Sequence, residues 1–97
     1  MSVYVIGQLE IRNRSWVEQY GPKTDALIAK YGGRCLVRAG AVMESLEGQE
    51  SLPNAVVILE FPSMEHAKAW YADPDYAEMI RLRRTGSDAN IMLVGND

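Results

Sequence analysis

Glu60-Phe61-Pro62-Ser63-Met64-Glu65-His66-Ala67-Lys68-Ala69-Trp70-Tyr71-Ala72-Asp73-Pro74-Asp75-Tyr76 decides the fold. Glu60 and Phe61 close an apolar strand. Pro62 blocks an earlier helix start, and Ser63 is placed to accept the backbone N–H of His66 as an N-cap. The helix that follows turns an aromatic face inward. Asp73-Pro74 then repeats the device, aspartate as cap and proline at the first helical position, and restarts a helix through Tyr76, Ala77, Ile80 and Arg84.

Upstream, Ala55-Val56-Val57-Ile58-Leu59-Glu60-Phe61 is the most apolar run and reads as a central strand. Glu47 to Ser51 is a polar hairpin loop, and Arg34 to Leu46 reads as one long strand before it. Trp16, Tyr20, Leu27, Ile28 and Tyr31 recur at helical spacing. Gly21-Pro22 interrupts them, which predicts a short turn and then a main helix with Pro22 in its first turn. Gly32-Gly33 ends that helix, since glycine takes the left-handed C′ conformation most easily. Val3 to Ile11 and Asp88 to Val94 are the outer strands in sequence.

The resulting order is β-α-β-β-α-β, a split βαβ or ferredoxin-like α+β fold: a four-stranded antiparallel sheet with helices on one face. Both faces of the strand Ala55–Phe61 are apolar. An uncovered apolar sheet face is a sticky patch, so packing of two sheets in a homodimer, closing an α+β barrel, is expected.

The 97 residues form one domain, 1–97, with a net charge of −3 and 47% hydrophobic residues. A chain this short buries only roughly 60–65% of its unfolded surface, which also favours a dimer. The mild acidity opposes a nucleic-acid or membrane partner, no run is long enough to span a bilayer, and the N-terminus reads as a strand and not a signal peptide. The single Cys35 suits a reducing, cytoplasmic setting and looks like a small strand residue.

Lys30-Tyr31-Gly32-Gly33-Arg34-Cys35-Leu36-Val37-Arg38-Ala39-Gly40, then Leu46-Glu47-Gly48, Glu60-Phe61-Pro62-Ser63, Ala69-Trp70-Tyr71 and Pro74-Asp75-Tyr76 resemble the small bacterial domain of unknown function family 1330. That family belongs to the dimeric α+β barrel superfamily, and the resemblance runs along essentially the whole chain. Cys35 stands where the family often has an aromatic, and Ala39-Gly40 where it often has Gly-Gly. The resemblance implies a homodimer of ferredoxin-like subunits and carries no established activity. The superfamily includes cofactor-free monooxygenases, haem-degrading enzymes, isomerases and ligand-sensing domains, so the fold does not choose among them.

Candidate chemistry centres on a cleft between sheet and helices. With a hairpin centred near Gln49, Arg38 lies across from Glu60: either a register-setting ion pair or an arginine that binds a carboxylate or enolate oxygen. Trp70, Tyr71 and Tyr76 flank the helix break, as core aromatics or as the wall of a site for a flat organic molecule. His66, the sole histidine, sits on a first helical turn, where the helix dipole disfavours the imidazolium, and reads as a surface residue. Met79-Ile80-Arg81 occupies the place where haem-degrading relatives carry a ligand histidine, which argues against haem. Arg81-Leu82-Arg83-Arg84 reads as a solvated helix C-terminus. Asp73 and Asp75 read as capping residues. One His and one Cys far apart give no metal-ligand spacing, and nothing demands a cofactor.

Two functional classes remain. One is a cofactor-independent enzyme acting on a small organic acid or enolisable aromatic, with Arg38 on the anion. The other is a non-catalytic ligand-binding or interaction module whose cleft is small or filled.

Overall fold

The computed structural model describes residues 2–96. Its elements are β1 (Val3–Ile11), α1 (Val17–Lys30), β2 (Arg34–Gly40), β3 (Ala55–Phe61), α2 (Met64–Ala72), α3 (Pro74–Arg84) and β4 (Ser87–Gly95). The four strands form one antiparallel sheet in the order β2-β3-β1-β4. This is the ferredoxin-like α+β arrangement that the element order predicts. No helix among the described residues is long and apolar enough to cross a membrane.

Pairing of the two central strands sets the layers. Val3, Val5, Leu59 and Phe61 face the helices and are buried against Leu27, Ile28, Ala67, Trp70, Tyr76, Met79 and Ile80. A second cluster joins Leu9 and Ala55 to Trp16. By the two-residue period of a strand, Tyr4, Ile6, Val56, Ile58, Met92 and Val94 lie on the opposite face, which no helix covers. Met92 there is 57% exposed, so the apolar open face is real.

Punctuation works as the sequence indicates. The Ser63 hydroxyl accepts the His66 N–H at 3.1 Å. Asp73 ends α2 and caps α3 at once, its carboxylate accepting the Asp75 N–H at 2.8 Å, the Tyr31 hydroxyl at 2.6 Å and the Lys30 ammonium at 3.2 Å. Gly32 takes a φ of 78° after α1, and the Gly33 N–H reaches back to the Ile28 carbonyl at 2.9 Å.

Three expectations are corrected. First, α1 runs unbroken from Val17 through Pro22. Proline forfeits one ladder bond there, but the Tyr20 N–H bonds the Trp16 carbonyl at 2.9 Å and the two rings meet edge-on at 5.1 Å, so packing holds the first turn in line. Second, β2 ends at Gly40 instead of Leu46, and residues 41–54 are irregular. Its register with β3 shifts twice, between Cys35 and Val37 and between Val37 and Gly40, and Ala39 adopts a φ of 45°. Extra residues of this kind bend a strand and end its pairing. Third, those shifts, with a pairing centred one residue earlier than Gln49, place Arg34, not Arg38, opposite Glu60: the Arg34 Nε donates to its carboxylate at 2.7 Å.

Candidate functional site

A cavity of about 180 Å³ lies between the sheet and the helices. Its floor includes Val5, Gly7, Val57, Leu59 and Ile91. Tyr20, Thr24 and Ile28 of α1 form one wall, with Trp70 of α2 and Tyr76 and Arg83 of α3 facing it. Gly7 makes room: a Cβ at that position would stand 3.7–3.8 Å from Ile91, Leu9 and Val57, ordinary contact distances, so the absent side chain is empty volume and not a steric necessity.

Helical spacing builds the walls. Tyr20, Thr24 and Ile28 are successive fourth residues on α1, and Tyr76, Met79 and Arg83 share one face of α3. The Tyr20 and Tyr76 hydroxyls meet at 2.8 Å across this gap. Tyr76 is buried, which pushes its phenol far above the usual tyrosine range, and the neighbouring Tyr20 adds to the shift. It is therefore a neutral hydrogen-bonding group at physiological pH. Trp70 packs on Tyr76 with centroids 4.4 Å apart and on Phe61 at 5.3 Å.

Arg83 is the unusual member. It is 3% exposed, yet among the described residues its side chain forms no ion pair and its Nε has no hydrogen-bond partner in the protein. A guanidinium seldom goes inside unpaired. Two more buried polar atoms lack protein partners, the Thr24 hydroxyl and the Trp70 indole Nε1. All three residues line this one cavity.

At the mouth stand Arg14, Gly21, Asp25, Arg38 and Ala39. Arg38 donates to the Asp25 carboxylate at 3.0 Å, linking β2 to α1. That side chain is 64% exposed, so Arg38 is a rim residue paired with Asp25 and not with the Glu60 expected. Cys35 lines the wall, and burial raises its thiol pKa against the opposing pull of Arg38, which makes it a poor nucleophile.

The structure thus brings together only part of the expected set. Trp70, Tyr76 and Arg38 line the cavity. Tyr71 is 42% exposed and lines an adjoining recess of about 280 Å³ beside Met92, which shares Val5, Trp70 and Ile91 with the cavity. Glu60 lies on the open face of the sheet, where Arg34 holds its carboxyl below the usual range. His66 is an exposed first-turn residue whose Nδ1 lies 2.6 Å from the Ser63 hydroxyl. Among the described residues no three His, Cys, Asp or Glu side chains gather as a metal site. Reading Arg81 to Arg84 as a solvated run missed Arg83. Its signal was periodicity, since Arg83 falls seven residues after Tyr76 and four after Met79, on the core face.

The model of a family described as "Domain of unknown function (DUF1330)" matches residues 2–96. No curated protein matches the sequence. Among solved structures, a protein of unknown function from Rhodopseudomonas palustris is similar at 19% identity with a TM-score of 0.78, covering 99% of this chain and 82% of the other. A dimeric ferredoxin-like protein of unknown function from Jannaschia sp. CCS1 is 11% identical with a TM-score of 0.71, over 99% and 100% of the two chains. SnoaB, a cofactor-independent oxygenase from Streptomyces nogalater, is 15% identical with a TM-score of 0.67, over 99% and 93%. At these identities the likeness is one of fold.

Proposed function

The chain belongs to the DUF1330 family, and from that premise we propose that it binds a small organic acid or enolisable aromatic between sheet and helices and acts on it without a resident cofactor. One observation carries this reading: the unpaired guanidinium of Arg83, buried on an apolar cavity. Such a charge is costly in the empty protein, and a ligand oxyanion relieves it. As negative charge moves onto a substrate oxygen, a fixed cation in a water-poor site stabilises it more than water would. The Tyr20–Tyr76 pair supplies hydroxyls on the same cavity. For a substrate acidic enough to enolise unaided, the proton passes to water at the mouth of the cavity, and the site supplies the cation that holds the enolate. The fold shared with SnoaB supports this class by analogy.

A second reading, a non-catalytic ligand-binding module, draws on the mouth. Among the described residues Asp25 is the one carboxylate lining the cavity, and Arg38 engages it. No other carboxylate or imidazole among the described residues lines the cavity as a base.

The same proposal includes a cytoplasmic homodimer formed through the open sheet faces, supported by their apolar composition and by the dimeric relatives of the same fold.

The test is a thermal-shift screen of small carboxylates and phenols, with oxygen uptake and ultraviolet spectra recorded for every binder. Saturation at a hundredfold excess over Kd adds about 2.7 kcal/mol of stability. Arg83→Met is expected to fold at least as stably as the wild type and to bind no anion. An Arg83→Met protein that binds the same anions unchanged overturns the proposal, whereas binding without turnover favours the second reading.

A further inference from the structure

Resting on the proposed anion site inside the cavity, the open mouth adds a second contact for the ligand. Register determines where Arg38 points. Cys35 pairs with Leu59 on the helix-facing side of β3, whereas Val37 pairs with Ile58 on the open side. Two residues of β2 thus span one of β3, and the extra residue returns Arg38 to the helix-facing side, where it lines the cavity. Strict alternation from Cys35 would have left it on the open sheet face. A second shift follows between Val37 and Gly40, and Ala39 there takes a φ of 45°, which residues with a Cβ seldom adopt. Two irregularities therefore flank one arginine at the mouth. Bulges beside binding sites re-aim side chains in this way, and backbone strain gathers at such sites.

The re-aimed guanidinium is only partly used. Its Nη1 alone meets both oxygens of Asp25, at 3.0 and 2.9 Å, in place of the two-pronged contact that a guanidinium can offer a carboxylate. Among the described residues its Nη2 and Nε have no protein acceptor. Asp25 thus orients Arg38 and leaves one edge of the fork free. Arg14, exposed at the same mouth, forms no ion pair among the described residues. The mouth therefore sets two guanidinia against one carboxylate, in a protein whose net charge is −3. Inward from it the lining is apolar, with Val5, Val57 and Leu59. We infer that the ligand is an organic acid with two carboxylates separated by an apolar body. One occupies the inner anion site, and the other stays in the mouth on the free edge of Arg38, where Arg14 offsets the charge of Asp25.

Calorimetric titration of the full-length protein tests this with matched pairs: α,ω-dicarboxylates from succinate to suberate, each beside the monocarboxylate of equal chain length, and isophthalate and terephthalate beside benzoate. The graded lengths bracket the span from mouth to interior. At least one dicarboxylate should bind about tenfold tighter than its monocarboxylate, the worth of one hydrogen bond to a charged group. Arg38→Gln should erase that gain and leave the monocarboxylate affinity unchanged. Lys23→Gln, which removes the same charge from α1 at a residue outside the cavity lining, should preserve it. Both side chains are about half exposed or more, so both variants should melt close to the wild type. If no dicarboxylate gains over its monocarboxylate, if Arg38→Gln keeps the gain, or if Lys23→Gln erases it too, this inference fails and the inner anion site stands. If the wild type binds no carboxylate of any pair, or Arg83→Met binds them all unchanged, the parent reading fails with it.

Discussion

The hydroxyls of Tyr20 and Tyr76 meet at 2.8 Å, although one ring is buried and the other only partly so. The inequality makes the two deletions unequal. Tyr20→Phe leaves the Tyr76 hydroxyl buried without a partner, at a cost of about 1–3 kcal/mol, whereas Tyr76→Phe leaves Tyr20 with access to water and costs about 0.5–1.5 kcal/mol. Urea denaturation of both variants and of the double variant checks the order, and equal losses would show that Tyr76 finds another partner. The raised pKa of Tyr76 also sets an alkaline limb. The unfolded chain ionises near pH 10 while the folded phenol stays neutral, so stability is full below that pH and falls as pH rises above it. Tyr76→Phe flattens this limb.

Asp73 sets the acid limb. The Tyr31 hydroxyl and the Asp75 backbone N–H hold its pKa at about 2, below the ordinary 3.8. A depressed carboxylate contributes stability that is present above the unfolded pKa and lost as pH falls through the folded one. Melting temperatures taken from pH 5 to pH 2 should drop through this window, and Asp73→Asn, which keeps a capping oxygen, should show a shallower drop. An unchanged slope would assign the acid limb to other carboxylates.

Arg38 is an exposed partner of an exposed aspartate, so Arg38→Ala should cost at most about 1 kcal/mol in urea denaturation. A double-mutant cycle with Asp25→Ala measures the pair itself. A loss of several kcal/mol would mean that the contact bridges more than two side chains.

Ile58 sits centrally on the open sheet face, opposite Ile6. Sedimentation at micromolar concentration should show a dimer for the wild type and a monomer for Ile58→Glu, because a sheet-on-sheet interface would bury the two carboxylates together. A wild-type monomer would remove the interface.

Local grammar and the order of elements were legible in the sequence; strand register and the side-chain pairings that depend on it were not. Pro62-Ser63, Asp73-Pro74 and Gly32-Gly33 each fix a boundary through one or two residues, and each boundary formed where it was expected. The partner of Glu60 depends on counting residues around the connection: the two single-residue register shifts in β2 account for two of the four positions from Arg38 to Arg34, and a pairing centred near Gly48 instead of Gln49 accounts for the other two. Pro22 read as a break because proline lacks a donor, yet the packing of Trp16 and Tyr20 carried α1 through it. Arg83 was misjudged for a different reason. Charge outweighed periodicity in reading Arg81 to Arg84, and only one of the three arginines turns inward.

Gly7 leaves the floor of the cavity one side chain short without any backbone demand for glycine. Under the proposed binding role, the size of ligand admitted depends on this position on a central strand, apart from Arg83 on its helix. Alanine there, then valine, would raise the floor stepwise and exclude progressively larger molecules while the donors on the helices stay in place. Two proteins differing only at this residue could divide a family of substrates between them, so selectivity in this architecture can drift by point substitution well before the chemistry of the site changes.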